Sequence, residues 1–216
     1  MDYKIFAPQR AIGEIDLPAS KSISNRALIL SALCSSPAPL HNVAHCDDTD
    51  AMVAALSSHD DVVNIGAAGT AMRFLTAYFA TRTGRTVVLD GSERMRQRPI
   101  GILVDALRSC GANIEYTLNE GFPPLRITGA QLKAQSITMA GNVSSQYISA
   151  MLMIAPLIEG CRSLRLTGDV ISLPYINMTL QLMSRFGVDA SFDGRVISFA
   201  EGSNYSAQQF TIENDW

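Results

Sequence analysis

Two segments of this chain, residues 98–113 and 173–189, follow one plan, and this repetition constrains the fold more than any other feature. Each predicts a strand, a polar loop containing proline, a helix that ends at a glycine, and then a hairpin. The glycines are Gly111 and Gly187, and the hairpins pair 114–118 with 125–128 and 190–192 with 196–199. Residues 50–57 are predicted to form the equivalent helix of a more degenerate first unit. The pattern predicts an α/β (α+β) fold of three repeated units.

Two strongly apolar helices, at 72–80 and 147–157, are predicted to be buried between these units. The chain has 216 residues, 47% of them hydrophobic and 17% charged, which is enough for one large domain or two small lobes. No apolar run approaches the roughly 20 residues of a membrane span, and the N-terminus has no signal-peptide pattern. We expect a soluble, cytoplasmic globular chain that does not act at a membrane.

The cysteines show no metal-like spacing and sit in apolar or helix-end settings, which favours reduced thiols in a cytoplasm. They are Cys34, Cys46, Cys110 and Cys161. A zinc site at His41, His45 and Cys46 is disfavoured because Pro37 and Pro39 favour a loop and no fourth ligand is evident. Residues 47–50, Asp-Asp-Thr-Asp, lack the glycine and closing glutamate of a calcium loop, so we expect them to cap the helix that follows.

The run Pro-Ala-Ser-Lys-Ser-Ile-Ser-Asn-Arg, residues 18–26, places cations and hydroxyls at the start of an apolar helix. Ser20 or Ser22 can cap this helix, and Ser22 shares a face with Arg26 beside Lys21. The free N–H groups of the first turn and the positive end of the helix dipole point the same way. A phosphate or carboxylate would fit there. The alternative is a capped amphipathic helix with a solvated basic turn.

Four further segments place small or polar residues where a helix should begin. They are GAAGTAMR with Gly69 and Arg73, DGSERMRQR with Arg94, GNVSSQ with Ser144, Ser145 and Gln146, and GDVISLPY with Ser172 and Tyr175. The arginine segment lies between a strand at 86–89 and a helix predicted to open at Pro99. Its alternative interpretation is a solvated charge run, and the serines could be ordinary caps.

Together, Lys21, Arg26, Arg73 and Arg94 would form a cationic cluster in a chain whose formal net charge is −3. Net acidity with local basicity favours a small anionic ligand. A nucleic-acid surface would make the whole domain basic, and no lysine- or arginine-rich run with interleaved aromatic residues is present.

These segments, in this order, resemble the EPSP synthase (3-phosphoshikimate 1-carboxyvinyltransferase) family, the enolpyruvyl transferases of the shikimate pathway. The resemblance runs from about residue 5 to 216 and rests on LPASKSISNR, GTAMR, RMRQRPI, SSQ and SLPYI. The related transferase that acts on UDP-N-acetylglucosamine has a reactive cysteine in its arginine-rich loop, and residues 90–98 contain none. The resemblance implies one domain of an inside-out α/β barrel, built from three βαβαββ units with helix N-termini aimed at an interdomain cleft.

The resemblance also implies a role for each site residue. Shikimate 3-phosphate would be held by Lys21, Ser22, Arg26, Ser144, Ser145, Gln146 and Ser172, with Tyr175 against its ring. Phosphoenolpyruvate would be bound by Lys21, Gly69, Arg73, Arg94 and Gln146. Lys21, which would touch both substrates, is the expected catalytic residue. The family reaction joins the shikimate 5-hydroxyl to C2 of phosphoenolpyruvate and uses no metal or organic cofactor.

The chain departs from the family pattern at Ala67, where asparagine is usual, and at Phe74, where many members have proline. It resembles only the N-terminal half of the enzyme, so we expect residues 17–216 to form the shikimate-3-phosphate domain. Residues 1–16 would belong to the other domain, through a first strand at about 3–17. The missing C-terminal half of the enzyme would be the partner of this chain. We expect substrate binding without turnover by this chain alone.

Two other classes of function are open to a chain with these features. One is an unrelated phosphosugar- or nucleotide-binding module, which lacks support because neither Gly-x-x-x-x-Gly-Lys-Ser/Thr nor Gly-x-Gly-x-x-Gly after a strand is present. The other is a scaffold protein with incidental helix caps, which would not need this set of cations and hydroxyls.

Overall fold

Seven helices and ten strands are described in the computed structural model, which covers residues 4, 6, 10, 12–200, 203–206 and 208–215. In chain order they are α1 (Lys21–Leu33), β1 (Leu40–His41), α2 (Asp47–Ser57), β2 (Val62–Asn64), α3 (Gly69–Ala80), β3 (Thr86–Asp90), α4 (Glu93–Arg96), α5 (Gly101–Ser109), β4 (Asn113–Tyr116), β5 (Leu125–Thr128), β6 (Ser136–Ala140), α6 (Ser145–Ile154), β7 (Ser163–Thr167), α7 (Leu173–Arg185), β8 (Ala190–Phe192), β9 (Val196–Phe199) and β10 (Phe210–Thr211). A 3₁₀ turn, Ala155–Leu157, follows α6.

Two four-stranded sheets share one topology, with orders β2-β3-β5-β4 and β6-β7-β9-β8. In each, the first two strands are parallel and joined through a helix, and the last two form an antiparallel hairpin. With α3 and α5 in the first unit and α6 and α7 in the second, both are βαβαββ units. Two of the three predicted units are therefore confirmed.

The third unit is represented only in part by the described residues. It comprises α1, α2 and a two-stranded parallel sheet of β1 and β10. The strand predicted at 3–17 lies partly outside the described residues, and residues 12–17 are exposed and form no strand.

The core lies along α3 and α6, as the apolar sequence of these helices predicts. Every residue of α3 except Thr70 is buried, and α6 is buried from Tyr147 to Ile154. Phe74, Phe79 and Leu152 are each no more than 1% exposed. Burial of one such side chain contributes about 1.5–3 kcal/mol, so these helices form a stable base for the residues at their N-termini.

Several helices begin earlier than predicted. Helix α3 begins at Gly69 rather than Met72, and α6 begins at Ser145 and gives way to the 3₁₀ turn at Ala155. Helix α2 begins at Asp47, so the acidic run lies within its first turn, next to the positive end of the dipole, and Cys46 holds the cap position. Glycine, threonine, serine and aspartate have weak helix propensity, and their presence in these first turns hid them in the sequence.

The arginine-rich segment differs most from expectation. It contains the short helix α4, capped by the Ser92 hydroxyl, which accepts the Met95 N–H at 3.3 Å. Helix α5 begins at Gly101, not at Pro99. Its predicted stop is confirmed, because Gly111 follows α5 with φ of 89°, and Gly187 follows α7 with the same φ.

All four cysteines are free, and Cys46 alone of them is not buried. Within the described ranges no helix is long and apolar enough to cross a membrane, and no cluster of His, Cys, Asp and Glu could hold a metal ion.

Candidate functional site

The N-terminal ends of four helices meet through a chain of hydrogen bonds. Lys21 begins α1, and its Nζ lies 3.0 Å from Oδ2 of Asp48 in the first turn of α2. The Asp48 Oδ1 accepts the backbone N–H of Thr70 in α3 at 3.4 Å. Gln146 in α6 donates from Nε2 to the Thr70 hydroxyl at 3.2 Å. Lys21 and Gln146, far apart in sequence, thus lie at one end of the helix layer.

The charge of Lys21 is held in place by Asp48. The hydrogen bond to Asp48 and the charge of its carboxylate raise the pKa of Lys21 above its ordinary value. The ammonium group therefore stays protonated at neutral pH. Its side chain is 50% exposed, and an ammonium has three donors, so it can bind an anion beside Asp48.

Arg26 is a buried crosslink between three helices. Its Nε donates to the Thr179 hydroxyl at 2.8 Å, its Nη2 to the Ser149 hydroxyl at 2.9 Å, and its Nη1 to the Ser22 carbonyl at 2.9 Å. It is 3% exposed, and burial lowers its pKa to about 10. At neutral pH the guanidinium keeps its charge, and it holds α1 against α6 and α7.

Tyr175 covers this buried guanidinium. Its ring centroid lies 5.7 Å from Cζ of Arg26, a cation–π distance, while 45% of the residue is exposed. The Arg26 guanidinium therefore packs against one side of the Tyr175 ring and helps to hold the ring at the surface. Ser172, half-buried, occupies the N-cap position of α7 without a side-chain capping bond, so its hydroxyl is not used to close the helix.

The two serines before α6 have different surroundings. The Ser144 hydroxyl accepts the Gln146 N–H at 3.4 Å and so caps the helix. The Ser145 hydroxyl has no hydrogen bond to any residue that the structure describes, although the residue is half-buried. Capping uses one serine, and the hydroxyl of the other is available to a ligand.

Arg73, predicted to support the anion pocket, is 3% exposed and braces the backbone. Its Nη1 donates to the Gly69 carbonyl at 3.2 Å and its Nη2 to the Pro99 carbonyl at 2.8 Å. The Tyr147 hydroxyl donates to the same Pro99 carbonyl at 2.6 Å. Burial chiefly lowers the pKa of Arg73, with the charge of Arg98 acting in the same direction and Tyr147 opposing both. Arg73 thus fixes the start of α3 to the arginine loop.

The three arginines of that loop have different surroundings. Arg96 forms an ion pair with Asp90, with Nε 2.9 Å from Oδ1. Arg94 is exposed and makes no side-chain hydrogen bond or ion pair within the described ranges. Arg98 is also exposed, and its guanidinium lies over Gly69. The segment is therefore only partly a solvated charge run.

Sequence reasoning missed the residues that connect the predicted ones. Asp48 was assigned to helix capping only, and Ser149 and Thr179 are single hydroxyls within helices, whose oxygens lie 3.0 Å apart under Arg26. A polar residue inside the very apolar helix α6 was the available signal for Ser149.

The arrangement suits a small, strongly anionic ligand. Exposed cations, an unbonded hydroxyl and helix N-termini all favour phosphate or carboxylate groups. A groove of about 640 Å³ is lined by Ile23, Pro174, Asn177, Gln181, Phe210 and Glu213, among others. It reaches the first turns of α1 and α7, but none of the predicted site residues lines it. The candidate site is an open surface at the helix ends.

The fold is that of one domain of an enolpyruvyl transferase. Two solved structures of EPSP synthase from Acinetobacter baumannii match with a TM-score of 0.80 and 22% identity, covering 94% of this chain and 50% of theirs. The family model for EPSP synthase (3-phosphoshikimate 1-carboxyvinyltransferase) matches residues 5–60 and 56–216. The chain belongs to the EPSP synthase family.

Relatives named 3-phosphoshikimate 1-carboxyvinyltransferase show how much of the family protein is present. One from Bacteroides fragilis is 53% identical over 216 residues, covering 100% of this chain and 52% of its own length. One from Vibrio cholerae is 42% identical over 231 residues, covering 94% of this chain and 54% of its own length. The chain spans about half the length of the curated relatives it matches.

Proposed function

We propose that this chain supplies half of the active site of a 3-phosphoshikimate 1-carboxyvinyltransferase. The reaction would transfer the enolpyruvyl group of phosphoenolpyruvate to the 5-hydroxyl of shikimate 3-phosphate. The observation that carries the proposal is the meeting of helix N-termini around Lys21 and Gln146, in a chain of this family.

Shikimate 3-phosphate would bind along the N-termini of α1, α6 and α7. Its phosphate and carboxylate would accept hydrogen bonds from the serine hydroxyls, and its ring would lie on Tyr175. The hydroxyls belong to Ser22, Ser144, Ser145 and Ser172. Because Arg26 is buried and already donates to three groups, we propose that it acts by adding charge and by supporting the Tyr175 ring.

Phosphoenolpyruvate would bind at the start of α3. Lys21, Arg94 and Gln146 would contact its anionic groups, with the Gly69 backbone close by. Arg73 would act indirectly, because its hydrogen bonds to the Gly69 and Pro99 carbonyls fix the backbone around the phosphoenolpyruvate site. Because Ala67 stands where the family usually has asparagine, only backbone polar groups at this position could contact phosphoenolpyruvate.

In the proposed reaction the 5-hydroxyl oxygen bonds to C2 of phosphoenolpyruvate while C3 gains a proton and the hydroxyl loses one. Phosphate then leaves the tetrahedral intermediate as C3 gives up a proton and the double bond reforms. The protonated Lys21 would stabilise charge on the transferring groups. Proton transfer typically contributes about 10²–10⁴-fold, and the groups expected for it belong to the other half of the enzyme, so this chain alone should not turn over.

We also propose that residues 17–216 form the shikimate-3-phosphate domain and that 1–16 pair with the second domain. Two chain segments run side by side near this boundary: the Ser20 N–H donates to the Glu213 carbonyl at 2.9 Å, and the Asp215 N–H donates to the Pro18 carbonyl at 2.8 Å. This pairing supports the proposal that the two segments connect the two domains side by side. The four free thiols support a reducing, cytoplasmic setting.

Titration of shikimate 3-phosphate into the chain, followed by amide NMR, tests the proposal. We expect saturable shifts at the starts of α1, α6 and α7, weakened by Ser172→Ala and Tyr175→Ala but not by Arg126→Ala on the remote strand β5. Adenosine monophosphate is the comparison ligand for a nucleotide module. No binding of shikimate 3-phosphate at millimolar concentration, or tighter binding of the nucleotide, would contradict the proposal. Addition of the C-terminal half of a relative then tests for turnover.

A further inference from the structure

Arg98 is held by an anchored backbone at the edge of the candidate site. The Pro99 carbonyl next to it accepts hydrogen bonds from Arg73 and Tyr147, at 2.8 and 2.6 Å. The Arg98 N–H donates to the Met95 carbonyl at 3.0 Å, and the Ile100 N–H donates to the Gly121 carbonyl at 2.9 Å. The loop that carries this side chain is therefore fixed on both sides.

The guanidinium of Arg98 occupies the space that a side chain at position 69 would need. A Cβ on Gly69 would overlap Nη1 of Arg98 and would lie 2.9 Å from its Cζ and Nη2. Gly69 is the first residue of α3, so the guanidinium lies at the positive end of a 12-residue helix. The glycine is needed here for close approach.

No carboxylate in the described part of the chain pairs with Arg98, and the carboxylate at the start of α3, that of Asp48, is paired with Lys21. Arg98 has no ion pair or side-chain hydrogen bond there, in contrast to Arg96, which is paired with Asp90. Burial chiefly lowers the pKa of the buried Arg73, and the nearby charge of Arg98 lowers it further, while the Arg73 Nε has no hydrogen-bond partner among the residues that the structure describes. Two guanidinium groups beside a helix N-terminus repel each other, and an anion bound among them would relieve that repulsion.

We propose that Arg98 is a further phosphoenolpyruvate-binding residue, whose guanidinium contacts an anionic group of that substrate at the start of α3, and that the absent side chain of Gly69 makes room for it. The inference rests on the proposed function, in which phosphoenolpyruvate binds beside Gly69. Arg98 donates to the phosphate or carboxylate from one side, and Lys21 and Arg94 contact the same ligand from other elements.

The test is titration of phosphoenolpyruvate, and separately of inorganic phosphate, into the chain saturated with shikimate 3-phosphate. Charge-assisted hydrogen bonds are among the stronger ones, so we expect Arg98→Ala to weaken phosphoenolpyruvate binding about tenfold or more. Arg98→Lys keeps the charge but loses the planar guanidinium, so its affinity for phosphoenolpyruvate should lie between those of the wild type and Arg98→Ala. Arg126→Ala removes the same charge from β5 and should bind like the wild type.

The role of Gly69 is tested by a double-mutant cycle. Gly69→Ala should displace the flexible end of Arg98 and weaken phosphoenolpyruvate binding about as much as Arg98→Ala does. In the Arg98→Ala background, Gly69→Ala should add little. Full additivity of the two changes would overturn the proposed dependence of Arg98 on Gly69. Thermal unfolding of each variant checks that the fold is retained, which we expect because Arg98 is exposed.

The outcomes separate this inference from the function on which it rests. Wild-type phosphoenolpyruvate affinity in Arg98→Ala, with binding weakened by Arg94→Ala, would overturn the inference and leave the proposed function standing. Binding of shikimate 3-phosphate without any binding of phosphoenolpyruvate to the wild type would overturn the inference for this chain. Binding of neither ligand would overturn both.

Discussion

The ε-ammonium group of Lys21 lies 3.0 Å from the carboxylate of Asp48, although the two residues lie in the first turns of different helices. The other oxygen of that carboxylate accepts the Thr70 N–H at the start of a third helix. Asp48 therefore fixes the expected catalytic lysine to the segment that begins with Gly69. It also places one negative charge among the cations of the candidate site.

We expect Asp48→Asn to lower the pKa of Lys21 toward its ordinary value and to reduce the free energy of unfolding by about 1 kcal/mol or less, because the pair is partly exposed. Asparagine keeps an acceptor for Thr70. The raised pKa of Lys21 means that the stabilisation is complete below 10.5 and is lost as the pH rises through the folded-state value. Chemical denaturation at neutral and strongly alkaline pH measures this difference. An equal loss at both pH values would show that the ion pair contributes nothing.

We expect Arg26 to contribute more to the stability of the fold than to direct contact with a substrate. Arg26→Ala removes a buried side chain and its hydrogen bonds, for which we expect a loss of about 2–5 kcal/mol, as for other large-to-small core changes. Arg26→Met keeps much of the packing and removes the cost of burying a charge, so its loss should be clearly smaller. Urea denaturation gives both values, with the exposed Arg126→Ala as the control. If Arg26→Ala is as stable as the wild type, the crosslink described above is not needed for folding.

Regular elements with a strong local pattern were predictable from the sequence. The hairpin of β8 and β9 has the predicted bounds because apolar residues alternate on both sides of a turn that contains Gly194. The ends of α5 and α7 were marked by Gly111 and Gly187. Burial of α3 and α6 was predictable because apolar residues dominate both helices.

The connections within the candidate site were not predictable in this way. Arg26 and Thr179 are separated by 153 positions, and the hydrogen bond between them depends on how three helices pack. Helix α4 is a single short helix held by the Ser92 cap, too short to show a periodic pattern. The position of Arg98 over Gly69 depends on a loop fixed by Arg73 and Tyr147, which is a tertiary effect.

The cysteines should differ in their reaction with iodoacetamide. Burial raises the pKa of Cys34, of Cys110 and of Cys161, the last to about 11, and the thiolate is the reactive form. Cys46 is half-buried, so we expect it to be alkylated first in the folded chain. Mass spectrometry of timed samples at mildly alkaline pH measures the order, and the same reaction in urea should label all four. Earlier labelling of Cys161 than of Cys46 would contradict the burial described here.

Ser144 and Ser145 form a matched pair that separates helix capping from ligand binding. Ser144→Ala removes the hydroxyl that accepts the Gln146 N–H, so it should lower the free energy of unfolding by about 0.5–2 kcal/mol. Ser145→Ala removes a hydroxyl without a hydrogen bond in the described part of the chain, so its stability should change by about 0.5 kcal/mol at most. If Ser145 binds shikimate 3-phosphate as proposed, Ser145→Ala should still weaken that binding, by about fivefold or more. Calorimetry with the ligand and thermal unfolding without it give both quantities for each variant. A Ser145→Ala chain that binds shikimate 3-phosphate like the wild type would remove Ser145 from the site.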